Sequence, residues 1–455
     1  IDNDLHTIQT AKETNVIDFE TFKSNFQSSQ NQNTNIYVSS FGGGLKANLW
    51  TLLVLNKLET KSKQSFVKRT VAMSGVSGGG VGISNYAALS KNFSNQDSIR
   101  HKINEMGNTH VLSIDGAYFL GLDFVREVVP KKLGIRFEGK DRAYEKMRAY
   151  NTVTQKDEND NGFMEQTFRE YWHDLYVQKR ANQSLFPALL VNSISTHGQY
   201  GVASSVKIHK DDFFPGAIDI LTYNNDSSLT FSGAVSTTNR FPIFSPTARI
   251  TEKGNFLDGG YFENSGLLSL MHFRKLMHKN NEKRNRDVIV SIINSKEQYI
   301  GFMLEKLVKE SVITIKESPS SELGAIFKTL ADTDSWPNTL LKQIEYDFTG
   351  TEDTLIRIFL PHYIHYHEVE TLLKGSLSSQ DQERIMKVIT VNNAKVIAAL
   401  DHSATNYNRQ KWGVSEPALA RLLSEPDVEY QKSMIAYHVE VQAQLERILK
   451  CASCF

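Results

Sequence analysis

Residues 67–89 have the sequence VKRTVAMSGVSGGGVGISNYAAL, which joins two apolar runs through a cluster of glycines. The first run, residues 67–74, is rich in β-branched side chains and predicts a strand. Residues 75–80 predict a tight turn, because glycine dominates them. The second run carries little charge and has apolar residues at helical spacing, which predicts a buried helix. The pattern is therefore strand, glycine turn and helix.

The same pattern occurs earlier in the chain. Residues 35–40 predict a strand, residues 41–44 (FGGG) a glycine turn, and LKANLWTLLVLNKL a helix. Further strands are predicted at residues 188–193, 201–208 and 287–293. Strands that alternate with helices predict the α/β fold class, with a mainly parallel and covered central sheet.

The composition is that of an ordinary globular protein. Of 455 residues, 40% are hydrophobic and 22% are charged, which excludes a disordered or low-complexity chain. The 51 Lys and Arg residues balance the 51 Asp and Glu residues, so no overall positive field would recruit nucleic acid. No apolar run approaches about 18 residues, which argues against a membrane span within this sequence. The two cysteines, Cys451 and Cys454, lie at the C-terminus and cannot provide a disulfide framework.

The chain is predicted to have three parts. Residues 1–34 are polar and predict a loosely held arm, and residues 35–296 contain the repeated strand and helix units. Residues 297–455 are predicted to be mostly helical, with one strand at residues 354–360. The sequence begins at Ile1 instead of Met. We therefore formulate the hypothesis that an upstream segment has been removed.

Residues 75–79 (GVSGG) match the pattern GxSxG. In a nucleophile elbow with this pattern, a strained turn between strand and helix exposes a serine hydroxyl, and the flanking glycines make room for it. The match lies after an apolar strand and before a buried helix, as an elbow requires. Ser77 is therefore the predicted nucleophile. The alternative is a glycine-rich turn that only packs a helix tightly on a strand.

A nucleophilic serine needs hydrogen-bond donors for the oxyanion that forms on attack. Residues 41–46 (FGGGLK) provide them, because successive glycines let main-chain N–H groups approach a ligand and the helix start adds positive partial charge. We predict an oxyanion loop with Lys46 as a supporting cation and with donors from Gly42, Gly43, Gly44 and Gly78. A plain turn is one alternative. A phosphate-binding loop is the other, but GGGLKA lacks both the GxxxxGK[ST] and the GxGxxG spacing.

The general base has two kinds of candidate. Asp258 ends an apolar strand directly before two glycines, so its carboxylate would lie at a sheet edge. An unperturbed aspartate has a pKa of about 3.9, so this role requires burial or a hydrogen bond shared with Ser77. A Ser/Asp/His triad would instead use His272 or His278. Both histidines lie among cationic residues of a predicted helix, where a solvated position is expected.

The motifs GGGLK, GVSGG and LDGG occur in this order and resemble the three signatures of the patatin-like phospholipase family. RFP at residues 240–242 and DGGYFENSG at residues 258–266 are similar to bacterial members in particular. The resemblance covers residues 35–295. It implies a three-layer α/β/α sandwich and acyl-ester hydrolysis by a Ser77/Asp258 dyad through an acyl-enzyme, without a metal or other cofactor. Ala47 stands where many members have glycine, and Lys46 where arginine is common.

The leading hypothesis is a lipid acyl hydrolase, a phospholipase or esterase that works on lipid or phospholipid at a membrane surface. One alternative is a Ser/Asp/His esterase or thioesterase. The other is a non-catalytic, membrane-associated binding protein with the same fold. Bacterial relatives often carry transmembrane helices before the catalytic domain. The resemblance therefore implies a cytoplasmic or membrane-associated protein. If the protein is anchored in a membrane, the anchor would lie upstream of Ile1 and be missing from this sequence.

Two further clusters contain charged or ligand-type side chains. His362, His365, His367 and Glu368 lie in PHYIHYHEVE, but no single regular element would present all three histidines together, so no metal site is predicted. A cationic stretch from Arg274 to Arg286 follows a predicted helix. Cations are favourable near a helix C-terminus. Contact with anionic lipid head groups is the alternative interpretation.

Overall fold

The computed structural model describes most of the chain, apart from the two termini and several internal segments. The described ranges are residues 6–29, 34–109, 140–181, 185–223, 226–241, 245–279, 285–310, 316–317, 335–372, 375–376, 378–402, 405–417 and 423–452, together with isolated positions between 110 and 139.

A nine-stranded sheet forms the centre of the protein. The described strands of the chain are β1 Thr10–Lys12, β2 Thr34–Ser40, β3 Thr70–Val76, β4 Ala188–Ser195, β5 Tyr200–Ser204, β6 Ile218–Asp219, β7 Ser227–Leu229, β8 Ala248–Ile250, β9 Gly254–Asp258, β10 Arg286–Ile293, β11 Lys316–Glu317, β12 Thr354–Phe359 and β13 Gly375–Ser376. Of these, β1 pairs with β7 and β11 with β13 in two separate two-stranded sheets, and the other nine form the central sheet. The main order is β12-β10-β2-β3-β4-β5-β6, with β9 on β4 and β8 on β9. Neighbours from β12 to β4 are parallel, whereas β5 and β9 run antiparallel to β4.

Helices connect and cover these strands. They are α1 Phe19–Ser29, α2 Gly44–Lys61, α3 Phe66–Arg69, α4 Ser77–Asn92, α5 Gln96–Gly107, α6 Arg142–Thr154, α7 Gly162–Glu165, α8 Phe168–Ala181, α9 Phe231–Thr238, α10 Leu267–His278, α11 Lys296–Lys309, α12 Ser335–Asp347, α13 Tyr366–Leu372, α14 Ser379–Leu400, α15 Arg409–Trp412, α16 Glu425–Tyr437 and α17 Val439–Cys451. Short 3₁₀ turns lie at Lys210–Asp212 and Gly259–Tyr261. Within the described parts of the chain, every helix is too short or too polar to cross a bilayer.

The middle of the sheet is covered on both faces. All seven residues of β2 and all seven of β3 are buried. Successive residues of a strand point to opposite faces, so complete burial requires packing layers on both sides of the sheet. This arrangement confirms the predicted α/β class with a mainly parallel central sheet, as in an α/β/α sandwich.

The N-terminal residues differ from the loosely held arm that their polarity predicts. Helix α1 buries Phe22 and Phe26. The Phe22 ring lies 5.9 Å from Trp172 and 6.0 Å from Phe273, measured between ring centroids. Burying one phenylalanine contributes about 1.5–3 kcal/mol, so the two buried rings favour packing of the helix against the domain. The buried aromatic residues therefore make this segment pack against the rest of the protein, although most of its residues are polar.

The region after residue 296 also contributes to the central sheet. Strand β12 pairs in parallel with β10, and the register joins Val288 to Thr354. The predicted strand at residues 354–360 is therefore confirmed, and it forms an edge of the main sheet. The division into residues 35–296 and 297–455 stays a prediction.

Candidate active site

Ser77 lies at the sharp turn between β3 and α4. Its φ is 50°, in the left-handed region that non-glycine residues avoid. The main-chain N–H of Ser77 donates to Thr238 Oγ1 at 2.7 Å, and the Thr238 hydroxyl donates to the carbonyl oxygen of Asn192 at 2.5 Å. These hydrogen bonds hold the turn from the end of α9. The local geometry matches that of the strained elbow expected from the sequence.

Asp258 reaches Ser77 because of the strand order. Strand β4 lies beside β3, and β9 pairs with β4 so that Asp258 is opposite Ser193. Ser77 Oγ donates to Asp258 Oδ2 at 2.6 Å, and the Gly260 N–H donates to Asp258 Oδ1 at 2.9 Å. Both side chains are buried, with Ser77 8% and Asp258 3% exposed. The turn after β9 therefore orients the carboxylate directly at the serine hydroxyl.

The two histidines considered for a triad have other partners. His272 Nδ1 lies 3.0 Å from the Tyr200 hydroxyl, and His278 Nε2 lies 2.6 Å from Asp287 Oδ2. Burial lowers the pKa of His272, and the nearby Lys275 lowers it further. The direct hydrogen bond from Ser77 to Asp258 leaves no imidazole between them. The carboxylate is thus in direct contact with the serine, whereas the two histidines contact Tyr200 and Asp287.

The glycine loop that follows β2 packs against the elbow. A Cβ atom added to Gly78 would collide with the carbonyl of Gly44, and one added to Gly42 would lie 3.1 Å from Ser77 Cβ. Only glycine permits this approach of two main chains. The loop also uses positive φ angles, 144° at Gly43 and 60° at Gly44. The structure thus places the four predicted oxyanion-loop glycines beside Ser77.

The N–H groups of this loop are not equivalent. The N–H of Gly42 donates to the main-chain carbonyl of Asn264 at 3.0 Å, so it is already engaged. Gly43 caps α2, Gly44 begins it, and Gly78 is the second residue of α4. The N–H groups of a first helical turn have no partner within the helix. Three of the four glycines therefore present candidate oxyanion donors, and Gly42 contributes close approach.

Lys46 is buried in the first turn of α2, with 6% of its surface exposed. Burial lowers the pKa of His362, which follows β12, and the Lys46 charge lowers it further. The proposed supporting role of Lys46 is electrostatic.

Three asparagines at the site were missed by the motif analysis. The main-chain carbonyl of Asn264 accepts from the N–H of Gly42, and the main-chain carbonyl of Asn192 accepts from the Thr238 hydroxyl. The side-chain amide of Asn294 donates to the carbonyl of Gly42 at 2.9 Å. Asn264 lies within DGGYFENSG, and Asn294 directly follows the strand DVIVSII, so a polar residue at a strand end was the available signal.

The cluster in PHYIHYHEVE is divided between separate contacts. His362 is buried between Asn294 and Glu416. The His365 and His367 rings stack with centroids 5.6 Å apart, while Glu368 pairs with Lys296 at 2.7 Å. Among the residues described by the structure, no group of three or more His, Cys, Asp or Glu side chains converges on a point where a metal ion could bind.

Most described members of the cationic stretch have acidic or polar partners. Arg274 bonds to Asp287 at 2.6 Å and to Asp353 at 2.7 Å, and Lys279 bonds to Asp212 at 2.6 Å. Arg286 donates to the Thr354 hydroxyl at 2.9 Å. Lys283 and Arg284 lie outside the described residues. The paired side chains indicate that this stretch mainly stabilises the fold.

Two exposed aromatic rings lie in the segments that contain or contact Asp258. Phe241 is 39% exposed and Tyr261 is 47% exposed, and their ring centroids are 5.4 Å apart. Phe241 follows Arg240, whose carbonyl accepts from the N–H of Asp258 at 3.1 Å. Burial and the carboxylate of Asp258 raise the pKa of Tyr261. This pair is called the aromatic rim below.

Comparisons with known proteins show similarity only at the level of whole structures. No protein-family model matches the chain, and no curated protein does. Human GIVD cytosolic phospholipase A2 in complex with methyl gamma-linolenyl fluorophosphonate is similar at 13% sequence identity and a TM-score of 0.44. The match covers 96% of this chain and 62% of that one, so the chain spans less than two thirds of that phospholipase.

Two further structures show the same low level of similarity. Another structure of human GIVD cytosolic phospholipase A2 is 10% identical with a TM-score of 0.44, covering 99% of this chain and 67% of that one. VipD from Legionella pneumophila is 11% identical with a TM-score of 0.31, covering 99% of this chain and 79% of that one. Similarities of this size assign neither a family nor an activity to the chain.

Proposed function

We propose that the chain is a lipid acyl hydrolase of the patatin-like type, a phospholipase or esterase that cleaves acyl esters with a Ser77/Asp258 dyad. The observation that carries this proposal is the 2.6 Å hydrogen bond from Ser77 Oγ to Asp258 Oδ2 at the elbow. A serine hydroxyl becomes a good nucleophile only when a base accepts its proton. Asp258 is the base in hydrogen-bond contact with it.

The reaction has two steps. In acylation, Ser77 Oγ attacks the ester carbonyl carbon while its proton moves to Asp258 Oδ2. The resulting oxyanion accepts hydrogen bonds from the N–H groups of Gly43, Gly44 and Gly78. Collapse of this intermediate breaks the carbon–oxygen bond of the ester, and the alcohol leaves with the proton from Asp258. The acyl group remains on Ser77.

Deacylation repeats the same roles with water. Asp258 accepts a proton as water attacks the acyl-enzyme carbonyl, and the same N–H groups bind the second oxyanion. The bond to Ser77 Oγ then breaks, and the serine regains its proton from Asp258 as the carboxylic acid leaves. No group beyond the dyad and the loop is required for the proton balance of either step.

The aromatic rim supports a lipid as the acyl donor. Phe241 and Tyr261 present apolar surface beside Asp258, where an acyl chain would lie. Aromatic side chains also favour the boundary between water and lipid, which suits a protein that acts at a membrane surface. We therefore propose lipid or phospholipid as the substrate. A cytoplasmic or membrane-associated location is what the resemblance to the patatin-like family implies.

Covalent labelling and turnover together test the proposal. Purified protein is treated with a fluorescent alkyl fluorophosphonate, and hydrolysis is followed with p-nitrophenyl butyrate and with phosphatidylcholine vesicles. We expect the label and both activities to disappear in Ser77→Ala and to persist in Ser84→Ala, which alters another buried serine of α4. Persistent labelling of Ser77→Ala would refute the assigned nucleophile.

The base is tested with a second pair of variants. We expect Asp258→Asn to lower kcat about 10²- to 10⁴-fold, the usual contribution of a general base. His272→Gln is expected to stay within twofold, because His272 contacts Tyr200 instead of Ser77. The opposite pattern would support the Ser/Asp/His alternative. Lipid binding by the wild-type protein without labelling or turnover would support the non-catalytic alternative.

A further inference from the structure

The peptide that links Gly42 to Gly43 is held by the side chain of Asn294, which directly follows β10. Asn294 Nδ2 donates to the Gly42 carbonyl at 2.9 Å and to the Phe41 carbonyl at 3.4 Å. A trans peptide is planar, with its carbonyl and its N–H pointing in opposite directions. The hydrogen bond to the Gly42 carbonyl therefore directs the Gly43 N–H away from Asn294. This N–H makes no hydrogen bond to another described residue.

This peptide needs an external restraint. Glycine lies on both of its sides, so no Cβ atom opposes rotation of the peptide plane. The two preceding peptides are fixed by main-chain hydrogen bonds, from Phe41 N–H to Ile292 and from Gly42 N–H to Asn264, each at 3.0 Å. The contact from Asn294 is the corresponding restraint on the next peptide. A Cβ atom on Gly43 would collide with the Asn294 side chain, so the two fit closely.

Asn294 is itself anchored from the region after residue 296. It follows β10, and its main-chain carbonyl lies 3.1 Å from His362 Nε2. A carbonyl oxygen can only accept, so Nε2 carries the hydrogen and donates it. His362 Nδ1 lies 3.0 Å from Glu416 Oε1, and Glu416 also contacts Lys296 at 2.6 Å. His362 is 1% exposed, so water does not replace these contacts.

The titratable groups around His362 come from several elements. Burial lowers its pKa and the Lys46 charge on α2 lowers it further, while the carboxylate of Glu416 opposes both. Lys296, at the start of α11, is within hydrogen-bond distance of Glu416 and also of Glu368 on α13. The tyrosine ring of Tyr299 lies 6.0 Å from the His362 ring. Charged residues of α2, α11 and α13, together with Glu416, therefore lie around His362 or its partner.

We propose that Asn294 is a positioning residue that sets the direction of the Gly43 N–H as an oxyanion donor, and that His362 supports it from the region after β12. The inference rests on the proposed acyl-transfer function. It assigns a role to two residues that lie outside the three sequence motifs. Through His362 and Asn294, residues after position 296 would then affect the rate of ester turnover.

Asn294→Asp provides the sharpest perturbation, because it keeps the shape and removes the donor. The introduced carboxylate would face two carbonyl oxygens and would favour the opposite orientation of the peptide, with the Gly43 N–H turned toward it. We expect kcat for p-nitrophenyl butyrate to fall about 10²-fold, as for loss of one oxyanion donor, with KM within threefold. Asn294→Ala removes the donor without adding charge and should cost about tenfold.

A binding measurement separates this role from general destabilisation. An alkyl trifluoromethyl ketone forms an oxyanion when Ser77 adds to it, whereas the matching alkyl ether does not. Asn294→Asp should weaken ketone inhibition about 10²-fold and leave ether binding within threefold. Ser295→Ala is the matched control. It removes the hydroxyl that accepts from Gln298 N–H at 3.3 Å and caps α11, and it keeps the Asn294 amide, so both inhibitors should bind as in the wild type.

The role of His362 is tested by a pair of amide variants. A glutamine amide can replace the Nε2 donor, and an asparagine amide replaces Nδ1. We expect His362→Gln to retain kcat within threefold and His362→Asn to lose about tenfold, at similar thermal stability. Equal loss in both variants would overturn the role of His362.

The outcomes also separate this inference from the function on which it rests. A wild-type protein without ester turnover and without fluorophosphonate labelling would overturn the proposed function and the inference together. Wild-type turnover with Asn294→Asp within twofold in both kcat and ketone affinity would overturn the inference alone. Loss of ether binding equal to the loss of ketone binding would show a merely structural role and would overturn it too.

Discussion

Replacing Ser77 with glycine is expected to give a more stable protein than replacing it with alanine. Both variants lose the hydroxyl and its hydrogen bond to Asp258, so the comparison isolates the backbone. Ser77 has a φ of 50°, and an L-residue in the left-handed region costs roughly 1–2 kcal/mol that glycine does not. The greater entropy of glycine in the unfolded chain opposes this advantage by about 0.4–1 kcal/mol. From the midpoints of the two ranges, the net advantage of glycine is therefore about 0.8 kcal/mol.

Urea unfolding followed by circular dichroism measures this difference. The midpoints are compared at equal slopes, so that the extent of unfolding is the same in both variants. The matched control is the pair Ser84→Gly and Ser84→Ala. Ser84 lies within α4, so alanine should be more stable there by about 1 kcal/mol. If alanine were also the more stable residue at position 77, the elbow would not be strained and the reasoning would be wrong.

Three further predictions concern the hydrogen bond that supports the Ser77 turn, the pH dependence of the protein's stability, and the aromatic rim. Thr238→Val removes the acceptor for the Ser77 N–H and should lower kcat about tenfold, with Thr238→Ser close to wild type in the same ester assay. Burial raises the pKa of Glu59 to about 7. The folded protein therefore keeps a proton that the unfolded chain releases above about pH 4.5, and stability falls as the pH rises from 4.5 to 7. Glu59→Gln should remove this fall in urea midpoints measured across that range. Phe241→Ser should raise KM for p-nitrophenyl palmitate several-fold and leave p-nitrophenyl butyrate unchanged, because only the long chain reaches the aromatic rim.

The local units of the fold could be predicted because their physical causes lie within a few neighbouring residues. A β-branched run, a glycine turn and a helical apolar spacing predicted the two strand–turn–helix units that carry the glycine loop and Ser77. Their boundaries shifted slightly. The first strand residue of β3 is Thr70, and residues 66–69 form a helical turn. The strand predicted at residues 201–208 ends at Ser204.

The polar N-terminal segment shows where averaging over composition fails. Phe19, Phe22 and Phe26 are spaced to lie on one face of a helix, but most residues around them are polar. Their burial depends on Trp172 and Phe273, which are more than a hundred residues away. Propensity and composition carry no information about such partners. Tertiary packing therefore decided that this segment is part of the domain.

The candidate site divides in the same way. Ser77, Asp258 and the glycines were identifiable because each sits in a short motif whose turn requires those residue types. Their distances depend on the order of β3, β4 and β9 in the sheet, which no local pattern specifies. Asn294 lies in no motif, and His362 stood out only as part of the PHYIHYHEVE cluster, since an amide or an imidazole gains its role only from the carbonyl it faces. Short-range backbone preferences act along the chain, whereas hydrogen bonds between distant segments exist only once the sheet has brought them together.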